Sequence, residues 1–139
     1  MNDVALVACS KLKQEPEVPA RDLYVSPLFK MARHYAEANA HRWFILSAEH
    51  GLLDPERVTA PYDTTLNKMA IAGRRAWAQR VTEQMKQQDV SGARLLILAG
   101  QVYRGGLMPY FWTRFDEIAI PLDGLKIGEQ LSWLSKRMK

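Results

Sequence analysis

Val4-Ala5-Leu6-Val7-Ala8, followed at once by Cys9-Ser10-Lys11-Leu12-Lys13, is the stretch that decides the fold. Five small or branched apolar residues run together with no polar interruption. A strand with one wet face would alternate, so this one reads as an interior strand of a sheet covered on both faces. Three further runs have the same character: Trp43–Leu46, Leu95–Ala99 and Ile118–Ile120.

Helical spacing fills the intervals. Ser26-Pro27 reads as an N-cap with proline in the first helical position, ahead of Leu28, Met31, Ala32, Tyr35 and Ala36. A second helix is expected over about Lys68 to Gln87, capped by Asn67, with Ala70, Trp77, Val81 and Met85 as its apolar stripe. Gln101–Phe115 holds a third, which Gly105-Gly106 and Pro109 shorten or break. Gly128–Met138 closes the chain, with Leu131 and Leu134 inward and Lys136, Arg137 and Lys139 at its C-terminal end. The order β-α-β-α-β-α-β-α predicts a mainly parallel four-stranded sheet with right-handed crossovers. Helices on both faces make it a three-layer α/β/α sandwich, expected as a single domain over residues 1–139.

Composition agrees with that class. At 139 residues, 47% hydrophobic and 24% charged, the chain can bury a core without staples. Cys9 is the one cysteine, which excludes an internal disulfide, argues against a Cys/His zinc site and fits a reducing cytoplasm. No apolar run approaches the ~18 residues of a membrane span. Met1-Asn2-Asp3-Val4 lacks the basic start of a signal peptide. The net charge of +4 is compatible with a nucleic-acid partner and equally with an ordinary basic surface.

In an open α/β sheet, ligands lie beyond the carboxyl ends of the strands. Four loops occupy that edge here: Cys9–Pro27, Ser47–Asn67, Gly100–Gly106 and Pro121–Gly128. The first two are long, as binding loops are. In the first, Ser10 and nearby N–H groups can accept an anion that Lys11 or Lys13 neutralises; the alternative is a capped turn with solvated lysines. Cys9 is a nucleophile in principle, and otherwise a small core filler. Arg21 suits a planar anion, and Tyr24 either stacks on a base or packs on the sheet.

The second loop places Ser47, His50 and Gly51 directly after a buried strand. Gly51 permits positive φ or close ligand approach. His50 can donate to a leaving group near neutral pH, and Asp63 can take a proton from water or stabilise a developing cation. The bland alternative is an ordered loop pinned by side-chain hydrogen bonds. No G-x-S-x-G elbow accompanies Ser47, His50 and Asp63, which argues against a hydrolase triad. In the third loop Gly100 lets a base or sugar approach, and Arg104 can bind phosphate. There Tyr103 is read either as a site residue or as core. Lys30, Arg33 and His34 on the first helix, with Arg74, Arg75 and Arg80 on the second, form either a nucleic-acid track or solvated faces.

Together these segments resemble a family of small bacterial and phage domains. The resemblance rests on Cys9-Ser10-x-x-Lys13, Arg21-Asp22-Leu23-Tyr24, Leu46-Ser47-Ala48-x-His50-Gly51-Leu52-Leu53, Pro61-Tyr62-Asp63-x-Thr65-Leu66 and Ala99-Gly100-x-x-Tyr103-Arg104. The closing Pro121-Leu122-x-Gly124-Leu125-x-Ile127-Gly128-x-Gln130-Leu131-x-Trp133-Leu134 belongs to the same set. More distantly, the order of Cys9-Ser10-x-x-Lys13, a strand-end Gly51-Leu52-Leu53-x-Pro55 and a following Pro61-Tyr62-Asp63 is similar to a domain of archaeosine synthase related in fold to the uracil-DNA glycosylase superfamily. That superfamily has a parallel sheet between helices and reads an extruded base at the strand ends. Its G-x-D-P-Y and H-P-S motifs do not occur in this chain, and none of its catalytic residues is carried over by match.

The resemblance implies a base-processing enzyme that hydrolyses an N-glycosidic bond in modified, for example phage, DNA or in a related nucleoside. Asp63 and His50 would be catalytic. Cys9, Ser10, Lys11, Lys13, Arg21, Tyr24, Ser47, Gly51, Tyr62, Thr65, Gly100, Tyr103 and Arg104 would bind substrate, with no metal or other cofactor and no membrane partner. The alternatives are a non-catalytic module that recognises a nucleotide or modified base, and a metal-dependent nucleotide-sugar or phosphate-transferring enzyme.

Overall fold

The computed structural model describes residues 3–11, 13 and 15–138. Strand β1 (Asp3–Ala8) forms where the apolar run predicts it and lies at the centre of the main sheet. A two-residue strand β2 (Val18–Pro19) and a short helix α1 (Ala20–Leu23) follow within the first long loop. Helix α2 (Pro27–Asn39) begins as expected: Ser26 Oγ accepts a hydrogen bond from Phe29 N at 3.2 Å. Its buried line is Phe29, Ala32 and Ala36, with Leu28, Met31 and Tyr35 half-buried beside it. Removing a phenylalanine from water contributes about 1.5–3 kcal/mol, so Phe29 is a main anchor of this helix.

Strand β3 (Arg42–Ser47) runs parallel to β1, with Phe44 opposite Leu6 and Ile45 opposite Val7. The chain then departs from the four-strand expectation. After the turn Ala48-Glu49-His50 it folds back as β4 (Gly51–Leu53), antiparallel to β3. Gly51 has φ +72°, the left-handed residue that such a three-residue hairpin turn demands. The sheet therefore has five strands in the order β4-β3-β1-β6-β7, parallel except at β4. A second departure is β5 (Val58–Thr59), which pairs antiparallel with β2 and laces the two long loops together. Ala20 N to Arg57 O and Arg21 N to Pro55 O, both 2.8 Å, add to that seam.

The second long helix, α3 (Ile71–Gln87), starts later than the sequence suggests. Asn67 does not cap it, and Ala70 stands exposed at its N-cap. Leu66–Lys68 forms a separate 3-10 turn capped by Thr65, whose Oγ1 accepts from Asn67 N. Strand β6 (Gly92–Leu98) follows. The doubtful third helix is broken where its glycines lie: α4 (Gln101–Arg104), a 3-10 turn (Gly105–Leu107), then α5 (Met108–Arg114). Strand β7 (Phe115–Ala119) and helix α6 (Ile127–Ser135) complete the described chain, with Leu134 fully buried and Leu131 half-buried. Lys139 lies outside the described residues.

Two apolar layers result. Trp77, Val81 and Met85 of α3 pack with Leu107 and Phe111 on one sheet face, against Leu6, Leu46 and Ile97. Phe29, Ala32 and Ala36 of α2 pack with Leu134 of α6 on the other, against Val7, Ile45 and Leu98. The connection from β1 leads to β3 on one side, whereas β6 and β7 lie on the other. The direction of winding thus reverses between β1 and β6, which opens a crevice at their carboxyl ends. No helix among the described residues is long and apolar enough to cross a membrane.

Candidate functional site

The hairpin turn after β3 brings polar groups to the carboxyl edge of the sheet. Ser47 is fully buried, and its Oγ accepts from His50 N at 3.0 Å and shares a hydrogen bond of 2.7 Å with Tyr62 Oη. Tyr62 Oη in turn meets Tyr24 Oη at 2.5 Å. Helix α3 fastens the turn from behind. Trp77 Nε1 donates to Ser47 O at 2.9 Å, Arg80 to Glu49 O at 2.8 Å, and Gln84 Nε2 to His50 O at 3.0 Å. Gln84 Oε1 accepts from Leu52 N at 2.8 Å, so one amide satisfies both edges of the turn. Thr64 donates to the Glu49 carboxylate, tying the 61–65 segment to it.

Four further groups close on this network. Lys13 bridges to Tyr24 through the backbone, and its ammonium stands 4.4 Å from the Tyr62 ring centroid. The His50 ring meets Tyr62 edge-on at 5.5 Å. Cys9 Sγ donates to Tyr103 Oη at 3.5 Å, and Thr65 also acts on that hydroxyl, favouring its ionised form. Asp63 is exposed and acts electrostatically on Lys13.

The electrostatics are set by burial. It pushes the Tyr24, Tyr62 and Tyr103 hydroxyls well above the ordinary phenol range, so all three stay protonated at neutral pH. It also lowers the Lys13 ammonium, with Cys9 and Asp63 pulling the other way. Burial lowers His50 too; the positive charges of Arg57 and Arg80 add to that, and Glu49 opposes it. His50 is therefore a neutral imidazole at neutral pH.

Cys9, Lys13, Tyr24, Ser47, His50, Tyr62, Asp63, Thr65 and Tyr103 thus lie near one another. Several roles change. Tyr24 is buried and packs against Phe29 at 4.8 Å, so it does not stack on a base; its hydroxyl orients Tyr62. Ser47 likewise holds the turn and is sealed from substrate, and its Oγ meets the backbone of His50, which excludes a triad arrangement. Gly51 is buried against Gln84: a Cβ there would overlap Gln84 Oε1, so the glycine serves packing and the turn. Arg21 lies apart, paired with Glu56 and Asp22. Lys11 is exposed on the rim. The suggested helix track does not form, since α2 and α3 cover opposite faces; Arg33 pairs with Asp22 and Glu37, and Arg74 caps Leu66 O.

Ser10, Gly100 and Arg104 fall in a neighbouring place. They line the crevice between β1 and β6, a cleft of about 320 Å³ that Cys9 shares. Cys9 packs against both apolar layers and is half-buried, so filler and site residue coincide. The sequence reading missed Arg80 and Gln84 as positioning residues, because polar side chains on an amphipathic helix look like a wet face; Trp77 reads as core alone, and its indole N–H donates to Ser47 O as well. The same reading also missed Ser26, Gln101 and Asp123 in the cleft, which only the crossing of β1 and β6 brings near Cys9.

The chain is 29% identical over 150 aligned positions to "Uncharacterized protein YfjM" of Bacillus subtilis (strain 168), an alignment covering 100% of this chain and 97% of that protein. No solved structure matches it. The family described as "Family of unknown function (DUF6884)" matches residues 4–136, and the chain belongs to it.

Proposed function

We propose that the chain is a nucleobase-processing enzyme that hydrolyses an N-glycosidic bond in a nucleotide or a modified DNA base, on a glycosylase-like fold. The observation that carries this reading is the convergence of Lys13, His50, Tyr62 and Asp63 from two loops, beside a cleft at the switch point of the sheet. The mainly parallel sheet between helices, with its polar groups at the strand ends, is the arrangement that the resemblance to the uracil-DNA glycosylase superfamily implies. Tyr62, held by Ser47 and Tyr24, offers a fixed ring edge to a base.

In this mechanism Asp63 takes a proton from water as the oxygen attacks the sugar C1′ and the bond from C1′ to the base nitrogen breaks. Before that transfer its carboxylate also stabilises positive charge on the sugar, while the Lys13 ammonium holds phosphate. Neutral His50 donates a hydrogen bond to the departing base. The proton held by Asp63 returns through solvent to the base nitrogen, so hydrolysis balances.

The test is incubation with unmodified and hypermodified phage DNA and with nucleotides, without metal, followed by mass spectrometry of released bases. Asp63→Asn is expected to lower release by about 10²–10⁴-fold while binding persists. Binding without release in the parent protein points to the second reading, a recognition module. The rigidity of the Ser47–Tyr62–Tyr24 hydroxyl chain, with every member protonated, favours that reading over other non-catalytic roles.

A further inference from the structure

The cleft between β1 and β6 shares Cys9 with the tyrosine cluster, but Lys13, His50, Tyr62 and Asp63 are not among its lining residues. Its walls are mixed: Val7, Phe29, Leu98 and Leu122 give an apolar side, Ser10, Gln101 and Gln130 a polar one, and it is bordered by the start of α2 at Ser26. One buried charge reaches it. The Arg104 side chain is 10% exposed; its Nη1 donates to Ala99 O and its Nη2 to Asp123 Oδ1, each at 2.7 Å. A cation this deep needs an anion. Here the anion comes from the solvent side: the Asp123 side chain is 63% exposed on the 121–124 turn. That turn is held by short-range bonds, Asp123 N to Ile120 O at 3.1 Å and Leu125 N to Leu122 O at 3.2 Å.

A guanidinium offers a planar fork of donors that a phosphate fills with two parallel bonds. Asp123 uses one arm of that fork with one oxygen. An incoming phosphate can therefore replace Asp123 without any new cation being stripped of water, and Asp123 can swing into solvent. We propose that the Arg104–Asp123 pair is a displaceable latch over an anion subsite, and that the cleft takes a nucleoside monophosphate, its body against the apolar side and its phosphate on Arg104. The identity of the body rests on the base-processing reading above; the latch does not.

The test is calorimetric titration of the parent protein, Asp123→Asn and Arg104→Gln with nucleoside monophosphates, the parent nucleosides and inorganic phosphate. A thermal melt of each protein serves as the check on folding. Asp123→Asn is expected to bind the monophosphates about tenfold more tightly than the parent and Arg104→Gln about tenfold more weakly, as for one charge-assisted bond. Nucleoside affinity should be equal in all three. Monophosphate affinity that is unchanged or weaker in Asp123→Asn overturns the latch and makes Asp123 a structural brace. Unchanged affinity in a folded Arg104→Gln overturns the subsite. Should Arg104→Gln fail to fold, the Asp123→Asn comparison decides alone. If no nucleoside or nucleotide binds, yet inorganic phosphate binds Asp123→Asn more tightly than the parent, the base reading fails and the latch stands.

Discussion

Tyr62 shows how much one hydroxyl can organise. It links the buried Ser47 and Tyr24, and Ser47 in turn accepts from His50 N. Tyr62→Phe keeps the ring and removes the link. The two hydrogen bonds to Tyr24 and Ser47 are then lost, about 0.5–1.5 kcal/mol each, which a urea midpoint would register. His50 supplies a second residue-scale expectation. Because burial and the charges of Arg57 and Arg80 lower its folded-state pKa, the unfolded chain binds this proton more readily. The stability that follows is present above the ordinary imidazole pKa and is lost as pH falls through it toward the folded value. A histidine proton titration by NMR should give His50 a midpoint below that of a free imidazole. A midpoint at or above the free value would show that His50 is wetter or better paired with Glu49 than the geometry indicates.

At the scale of elements, the Ser47–Leu53 hairpin depends on α3. Gln84 satisfies Leu52 N and His50 O, and its amide covers Gly51. Gln84→Ala leaves both backbone groups without their partner, at about 1–3 kcal/mol for the two bonds. Since the freed carbonyl belongs to His50, base release should fall by more than the change in folded fraction explains. Equal losses of stability and activity would reduce Gln84 to a simple packing role. The hairpin also shows where sequence patterns stop being readable. Three residues, Gly51-Leu52-Leu53, are too few for a period-two signal, and β2 and β5 have two residues each. Such strands exist because a partner is already in place: β3 templates β4, and the crossing of the two loops pairs β2 with β5. Asn67 failed as a cap for a related reason. Thr65 caps a 3-10 turn first, and the helix restarts beyond it.

For the whole molecule, part of the basic charge is neutralised in place among the described residues. Arg21, Arg33, Arg94, Arg104 and Arg114 each pair with a carboxylate, and the basic residues of α2 and α3 sit on opposite faces. A protein that grips many DNA phosphates loses roughly 10³–10⁵ in affinity between about 50 and 200 mM salt. Ligand binding here should weaken by less than about tenfold over that range, as expected for a single phosphate. A steep loss on duplex DNA would instead reveal a polymer-binding surface that these pairings conceal.

The amino-acid sequence by itself determined the layered α/β class, the central parallel strands, the Ser26 cap and the two loops that carry the site. Those features are written in local signals: continuous branched apolar runs, a capping hydroxyl before proline, and small or polar residues directly after strands. The tertiary structure alone decided the antiparallel edge strand, the burial of Ser47 and Tyr24 as positioning groups, the fastening of His50 by Gln84, and the meeting of Arg104 with Asp123. Each of these joins residues distant in the chain or depends on a partner strand. Their energies come from contacts that exist only once β1, β3 and β6 lie side by side.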